Sequence, residues 1–163
     1  MKQHQGFTLI ELVIVIIILG ILAVTAAPKF INFQGDARVS ALKGVEGSLK
    51  SANAMVYSKA LLVGEEKKAT GSVDIGTGTN AATNYGYLQA TQTELENATD
   101  LKFDAGTSPT ATGTNDWIID ATTTTGQAII WQRGAPAGCS ITYTGATATA
   151  NPVYSSLPSA SDC

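Results

Sequence analysis

Histidine is almost missing from this chain: of 163 residues only His4 is one, and it precedes a long apolar run. Once the first few residues are removed, no imidazole remains. That excludes histidine acid–base catalysis, Ser-His triads and imidazole metal sites. Charge is thin as well, at 14 % of residues and a net −3. The basic residues stand singly apart from Lys67-Lys68, so no basic patch exists and nucleic acid is not an expected partner. There is no G-x-S-x-G elbow, no phosphate-binding loop, no spaced calcium loop and no obvious carboxylate pair. An enzyme is therefore not expected, and neither a cofactor nor a metal is called for. Cysteine is limited to Cys139 and Cys163, far from any C-x-x-C spacing. On a chain with an export-type start, an even pair reads as one structural disulfide, the alternative being two buried thiols.

What the chain does have is the segment Phe7–Ala27, apolar except for Thr8, Glu11, Gly20 and Thr25. As a helix it would span roughly 31 Å, enough to cross a hydrocarbon core. The β-branched stretch VIVIII weakens a helix in water, but in lipid the backbone must bond to itself and the helix wins. Glu11 is the anomaly. A carboxylate in a membrane segment is costly and usually partnered, although the helix dipole favours it near a helix start. A secretory signal would be cut after Val24-Thr25-Ala26. Against that stand a single Lys2 ahead of the run, Glu11 inside it, and a helical pattern that continues past the site. The alternative is a cut between Gly6 and Phe7, which would create a positive amine close to Glu11.

GFTLIEL followed by an unbroken apolar segment resembles the class III signal of type IV pilins and their relatives. The resemblance implies that a prepilin peptidase/methyltransferase cuts after Gly6 and methylates the new terminus at Phe7. It also implies that Glu11 neutralises a neighbouring subunit's terminus and sets the register of stacked helices. A glutamate snorkelling to the interface is the plainer alternative. Pro28, which costs a helical hydrogen bond, and Gly20 bound the section that in this family bends or melts on packing. More narrowly, HQGFTLIELVIVIIILGILAVTAAPKF with NFQGDAR is similar to pilins of the mannose-sensitive haemagglutinin type over about the first 40 residues.

Beyond Pro28, Phe30, Phe33, Ala37, Ala41, Leu42, Val45, Leu49, Ala52, Val56, Ala60 and Leu61 recur mostly at i+3/i+4. They predict an amphipathic continuation packed on a globular head. Asp36, Arg38, Lys43, Lys50 and Lys59 are placed on the opposite, solvent face. Gly35, Gly44 and Gly47 soften it, and Gly64 ends it, giving one helix of roughly 55 residues and about 80 Å.

The stretch 70–84 lacks periodicity and reads as surface loop. Residues 88–101 can form a short helix capped by Thr91 or Thr93, and 104–115 reads as a second loop. Asp116–Ala121, Gln127–Gln132 and Cys139–Thr144 are β-branched or aromatic and suit an antiparallel meander burying Trp117 or Trp131 on the helix. The segment between the cysteines would be poorly ordered alone. By position it looks like the cysteine-bounded variable region of pilins. Asn97-Ala98-Thr99 is a glycosylation sequon.

The expected fold class is α+β, a long helix on a small antiparallel head with a disulfide loop. The organisation is a leader at 1–6, a transmembrane or filament-core helix at 7–27, its amphipathic half at 28–63, and a head at 64–163 with the cysteine-bounded loop 139–163. The resemblance implies a major subunit that polymerises with itself. Its partners would be the bilayer, the peptidase and the inner-membrane assembly machinery, before it enters an extracellular filament for attachment, biofilm formation and agglutination. The alternative is a major pseudopilin of a type II secretion system. The major pseudopilins resemble calcium-binding heads without a terminal disulfide loop, so Cys139 and Cys163 favour the pilus.

Overall fold

A single α-helix, α1 (Leu9–Val63), carries everything else. The computed structural model describes residues 7–163, with the side chains of 27–32 excepted. Gly6 therefore lies outside the described residues, as does the side chain of Pro28. The 55 residues of α1 extend about 82 Å at the usual rise. Its start is fixed by Thr8, whose hydroxyl accepts from the Glu11 N–H while the Glu11 carboxylate accepts from the Thr8 N–H. Its end is fixed by Gly64 at φ +72°, a left-handed cap that returns an N–H to Ala60. The backbone is helical through Gly20 and Pro28 without a break.

Only the second half of α1 meets the head. Leu42, Val45, Leu49, Ala52, Val56 and Ala60 are buried at helical spacing, as the apolar stripe requires. Phe33 and Leu61, predicted for the same face, are exposed at 67 % and 51 %. Phe33 precedes the contact of α1 with the head at Gly35, and Leu61 sits next to buried Ala60 but on the flank turned away from the buried stripe.

Two sheets complete the head. The first is antiparallel: β1 (Gly71–Val73), β2 (Ala81–Asn84) and β3 (Tyr87–Leu88). This corrects the expectation of a loop over 70–84. Val73, Ala81, Thr83 and Leu88 are buried and alternate with half-buried or exposed neighbours. The strands are too short and too poor in large apolar residues to announce that period. Next comes α2 (Gln92–Ala98), capped by Thr91 and burying Leu95.

The second sheet runs β4 (Phe103–Ala105), β5 (Trp117–Asp120), β6 (Gln127–Gln132), β7 (Ser140–Thr144) and β8 (Val153–Tyr154) in that order. The predicted β5–β6–β7 meander is there with Ile119 opposite Ile130 and Ile130 opposite Ile141. The parallel partner β4 and the short β8 lie in segments read as loop. The main chain of Phe103 in β4 bonds to α2, its N–H to Glu96 and its carbonyl to Gln92. Trp117 packs against the core shared with α1. Trp131 sits on the opposite face of β6, buried over Ile118, with its indole N–H donating to the Ala137 carbonyl.

Candidate functional site

The amino-terminal half of α1 has no partner in the folded chain. Leu9–Ala26 has a mean hydropathy of 3.0 and none of it is buried. Among the described residues it is the one helical stretch long and apolar enough to cross a membrane. Its Thr25 hydroxyl folds back onto the Ile21 and Leu22 carbonyls, so that polar group needs no outside partner.

At the start of this face stands Phe7, 81 % exposed, with Glu11 one turn into the helix. Glu11 was expected to lack a partner in the uncut chain. Instead its Oε2 accepts from the Thr8 N–H at 2.8 Å and from the Thr8 hydroxyl at 2.6 Å. The Thr8-x-x-Glu11 spacing is the sequence signature of a capping box, so this partner was readable and was missed. The arrangement satisfies two donors at the helix start and leaves the carboxylate's charge uncompensated.

The lower edge of the head is clasped to α1 by the carboxy-terminal segment. Cys139 and Cys163 form a disulfide with Cα atoms 4.7 Å apart, closing a sequence separation of 24. A short 3-10 turn, Ala160–Asp162, lies against Gly35, where a Cβ atom would stand 2.1 Å from the Ala160 carbonyl oxygen. Arg38 donates to the main-chain oxygen of Cys163 at 2.7 Å and to that of Gly134 at 3.1 Å. Both residues correct the sequence expectations. Gly35 is a contact surface for backbone rather than a weak point, and Arg38 is half-buried and bonded rather than solvated. No local signal could have shown this, because the partners are about 100 residues or more away.

At the centre, Asn53 joins the helix to both sheets. Its side chain accepts from the Leu88 N–H at 3.0 Å and donates to the hydroxyls of Tyr143 at 3.2 Å and Tyr154 at 2.8 Å. Asn53 interrupts the apolar stripe, and a lone asparagine there is a legible hint of a buried polar joint. Near the outer rim, Asp104 pairs with Arg133, and both hold the 106–116 loop through Asn115 and Ala111. The Asn115 N–H first, and Arg133 after it, hold the Asp104 carboxyl below its ordinary range. The sequon residue Asn97 uses both ends of its amide within the head, accepting from the Thr77 hydroxyl and donating to the Thr79 carbonyl.

A family model described as the prokaryotic N-terminal methylation motif matches residues 1–27. The chain is 34 % identical over 110 residues to the type IV major pilin protein PilA of Myxococcus xanthus, 66 % of this chain and 48 % of the relative. Over these stretches the chain is similar to type IV pilins. A type IV major fimbrial protein, FimA of Dichelobacter nodosus, is 42 % identical over 69 residues, 42 % of each chain. The type II secretion system core protein G of Pseudomonas aeruginosa matches a shorter stretch, 44 % over 43 residues, 26 % of this chain and 30 % of that one. The chain spans about half the length, or less, of the relatives it matches. No solved structure matches it significantly. None of these three relatives is described as being of the mannose-sensitive haemagglutinin type.

Proposed function

We propose that this chain is the major structural subunit of a type IV pilus, held in the membrane by Leu9–Ala26 and then stacked through the same surface into a filament. The observation that carries the proposal is the solvent-facing apolar half of α1, which the head does not cover. In a bilayer lipid covers it; in a filament the equivalent segments of neighbouring subunits do. Burying a Leu, Ile or Val side chain contributes about 1.5–3 kcal/mol, so a bundle of such helices is a strong driving force once subunits leave the lipid.

Cleavage between Gly6 and Phe7, with methylation at Phe7, supplies the amine that the Glu11 carboxylate lacks. Thr8 holds that carboxylate at the helix start until a neighbour's terminus arrives. Gly20 and Pro28 bound the section that yields when subunits pack. The precursor would sit in the inner membrane beside its peptidase and assembly machinery, and the product would lie outside the cell. Attachment, biofilm formation and agglutination, the roles of the mannose-sensitive haemagglutinin type, follow from the narrower sequence resemblance. The role is structural and not catalytic.

The pseudopilin alternative shares the leader and the helix. The disulfide-closed segment supports the pilus instead, since the major pseudopilins resemble heads without one. Electron microscopy of cells carrying Glu11→Ala tests the assembly reading, with leader cleavage followed by immunoblot. Cleavage is expected to persist while filaments disappear; normal fibres would overturn the role given to Glu11. Surface fibres that persist after deletion of the whole chain would overturn the role of major subunit.

A further inference from the structure

We propose that Tyr57 and Tyr87 form an oxidative cross-linking site, where a peroxide-driven one-electron oxidant joins the two rings and staples α1 to β3. The site does not rest on the filament reading. The chain has five tyrosines, and this pair is the one arranged for the reaction. The two rings are stacked with centroids 4.5 Å apart and planes 13° from parallel. Tyr57 comes from the second half of α1, and Tyr87 opens β3. The turn between β2 and β3 holds Tyr57 from the side, since a Cβ on Gly86 would stand 3.0 Å from its Cδ2. The fold has therefore brought two phenols together in advance, and no further entropy is lost in pairing them.

Both rings are half-buried, and both stand in the walls of two surface grooves of about 510 and 440 Å³. A small oxidant can reach them there, and the open space lets the rings swing edge to edge for bonding. The other close pair, Tyr143 and Tyr154, is 5.3 Å apart and tilted by 39°. Tyr143 is fully buried, and its hydroxyl is committed to the Leu88 carbonyl. Tyr85 stacks on no ring among the described residues. A free thiol would quench a tyrosyl radical, but both cysteines lie in the disulfide. Such a bridge persists in oxidising surroundings, where peroxides also occur.

Each ring loses one hydrogen from a carbon ortho to its hydroxyl, and a single bond forms between those two carbons. The two electrons and two protons pass to hydrogen peroxide, which becomes two molecules of water. The product closes a loop of about 30 residues and constrains the unfolded chain as a disulfide does. The bridge between Cys139 and Cys163 ties the carboxy-terminal segment to the second sheet. The tyrosine bond instead ties the helix to the first sheet, and thiol reductants cannot open it.

The test treats the full chain in zwitterionic micelles with hydrogen peroxide and a catalytic amount of a haem peroxidase. Peptide mass spectrometry should find Tyr57 and Tyr87 joined with the loss of two hydrogens, and dityrosine fluorescence should appear. Tyr57→Phe and Tyr87→Phe keep a ring in the stack, so both should fold like the wild type. Each should nevertheless lower the yield of this product at least fivefold, while Tyr85→Phe and Tyr154→Phe leave it unchanged. With the disulfide reduced in both samples, the cross-linked chain should melt at a higher temperature than the untreated one. No bond between Tyr57 and Tyr87 in the wild type, or no rise in melting temperature, would overturn the proposal. So would an undiminished product in Tyr57→Phe.

Discussion

The side-chain amide of Asn53 donates to the hydroxyl of Tyr143 at 3.2 Å, across the middle of the head. That hydroxyl in turn donates to the Leu88 carbonyl at 2.7 Å. One helix residue and one strand residue thus tie α1 to both sheets. Burial drives the Tyr143 hydroxyl well above the usual phenol range, so it stays a neutral donor at any ordinary pH.

Asn53→Leu keeps the branched shape and removes the side-chain bonds of Asn53, leaving only the Tyr143 hydroxyl's bond to the Leu88 carbonyl. It leaves the Leu88 N–H buried and unpaired and deprives the Tyr154 hydroxyl of its donor. We expect a loss of about 2–4 kcal/mol in urea unfolding, more than the loss of one exposed hydrogen bond would give.

Gly35→Ala and Gly44→Ala should have opposite signs. At Gly44 an added Cβ meets nothing within 4 Å, so better helix propensity should stabilise by about 1 kcal/mol. At Gly35 the methyl meets the Ala160 carbonyl, and the overpacking should cost about 1–3 kcal/mol. Hydrogen exchange at the Asp162 and Cys163 N–H groups should accelerate in the Gly35 variant alone, with Leu88 unchanged.

Cys139→Ser opens the loop between Cys139 and Cys163. By chain entropy the bridge contributes about 3–4 kcal/mol, and Arg38 loses a fixed acceptor when it opens. The melting temperature of the oxidised wild type should fall to that of the variant when a reductant is added. An unchanged melting temperature in the variant would contradict the role given to the bridge.

Asp120, buried at the end of β5, sets the acid limit. The Thr123 hydroxyl and the Thr122 and Thr123 N–H groups hold its carboxyl down at about 2. A depressed carboxyl stabilises above its unfolded value of about 3.9 and loses that contribution as the pH falls toward 2. Melting temperatures of the wild type should therefore drop between pH 4 and pH 2. The Asp120→Asn curve should be flatter across that window and lie lower above it.

The long helix was legible because its two signals are dense. An apolar run gave the first half, an i+3/i+4 stripe gave the second, and Gly64 marked the stop. Gln127–Gln132 was legible for the same reason, as a strand of large apolar residues between turns. The first sheet was not. Residues such as Ala81 and Thr83 are buried because β2 is flanked by β1 and β3 and packed against α2, and small residues carry no period strong enough to show it. At the amino terminus the motif singled out Glu11, while the Thr8-x-x-Glu11 capping box written in the same residues was overlooked. Gly35 and Arg38 were misjudged because helix rules treat a glycine as weakness and a spaced arginine as solvated. Their partners come from the other end of the chain.

The clasp at Gly35 and Arg38 also decides where force enters the head. None of Leu9–Ala26 is buried against the rest of the chain, so any pull on it travels along α1 as along a rod. The first part of the head it reaches is the 3-10 turn at Ala160–Asp162 and the main chain of Cys163. The disulfide hands that load to Cys139, immediately before β7, an inner strand of the second sheet. Tension therefore reaches the sheet through a covalent bond before it loads the hydrophobic seam.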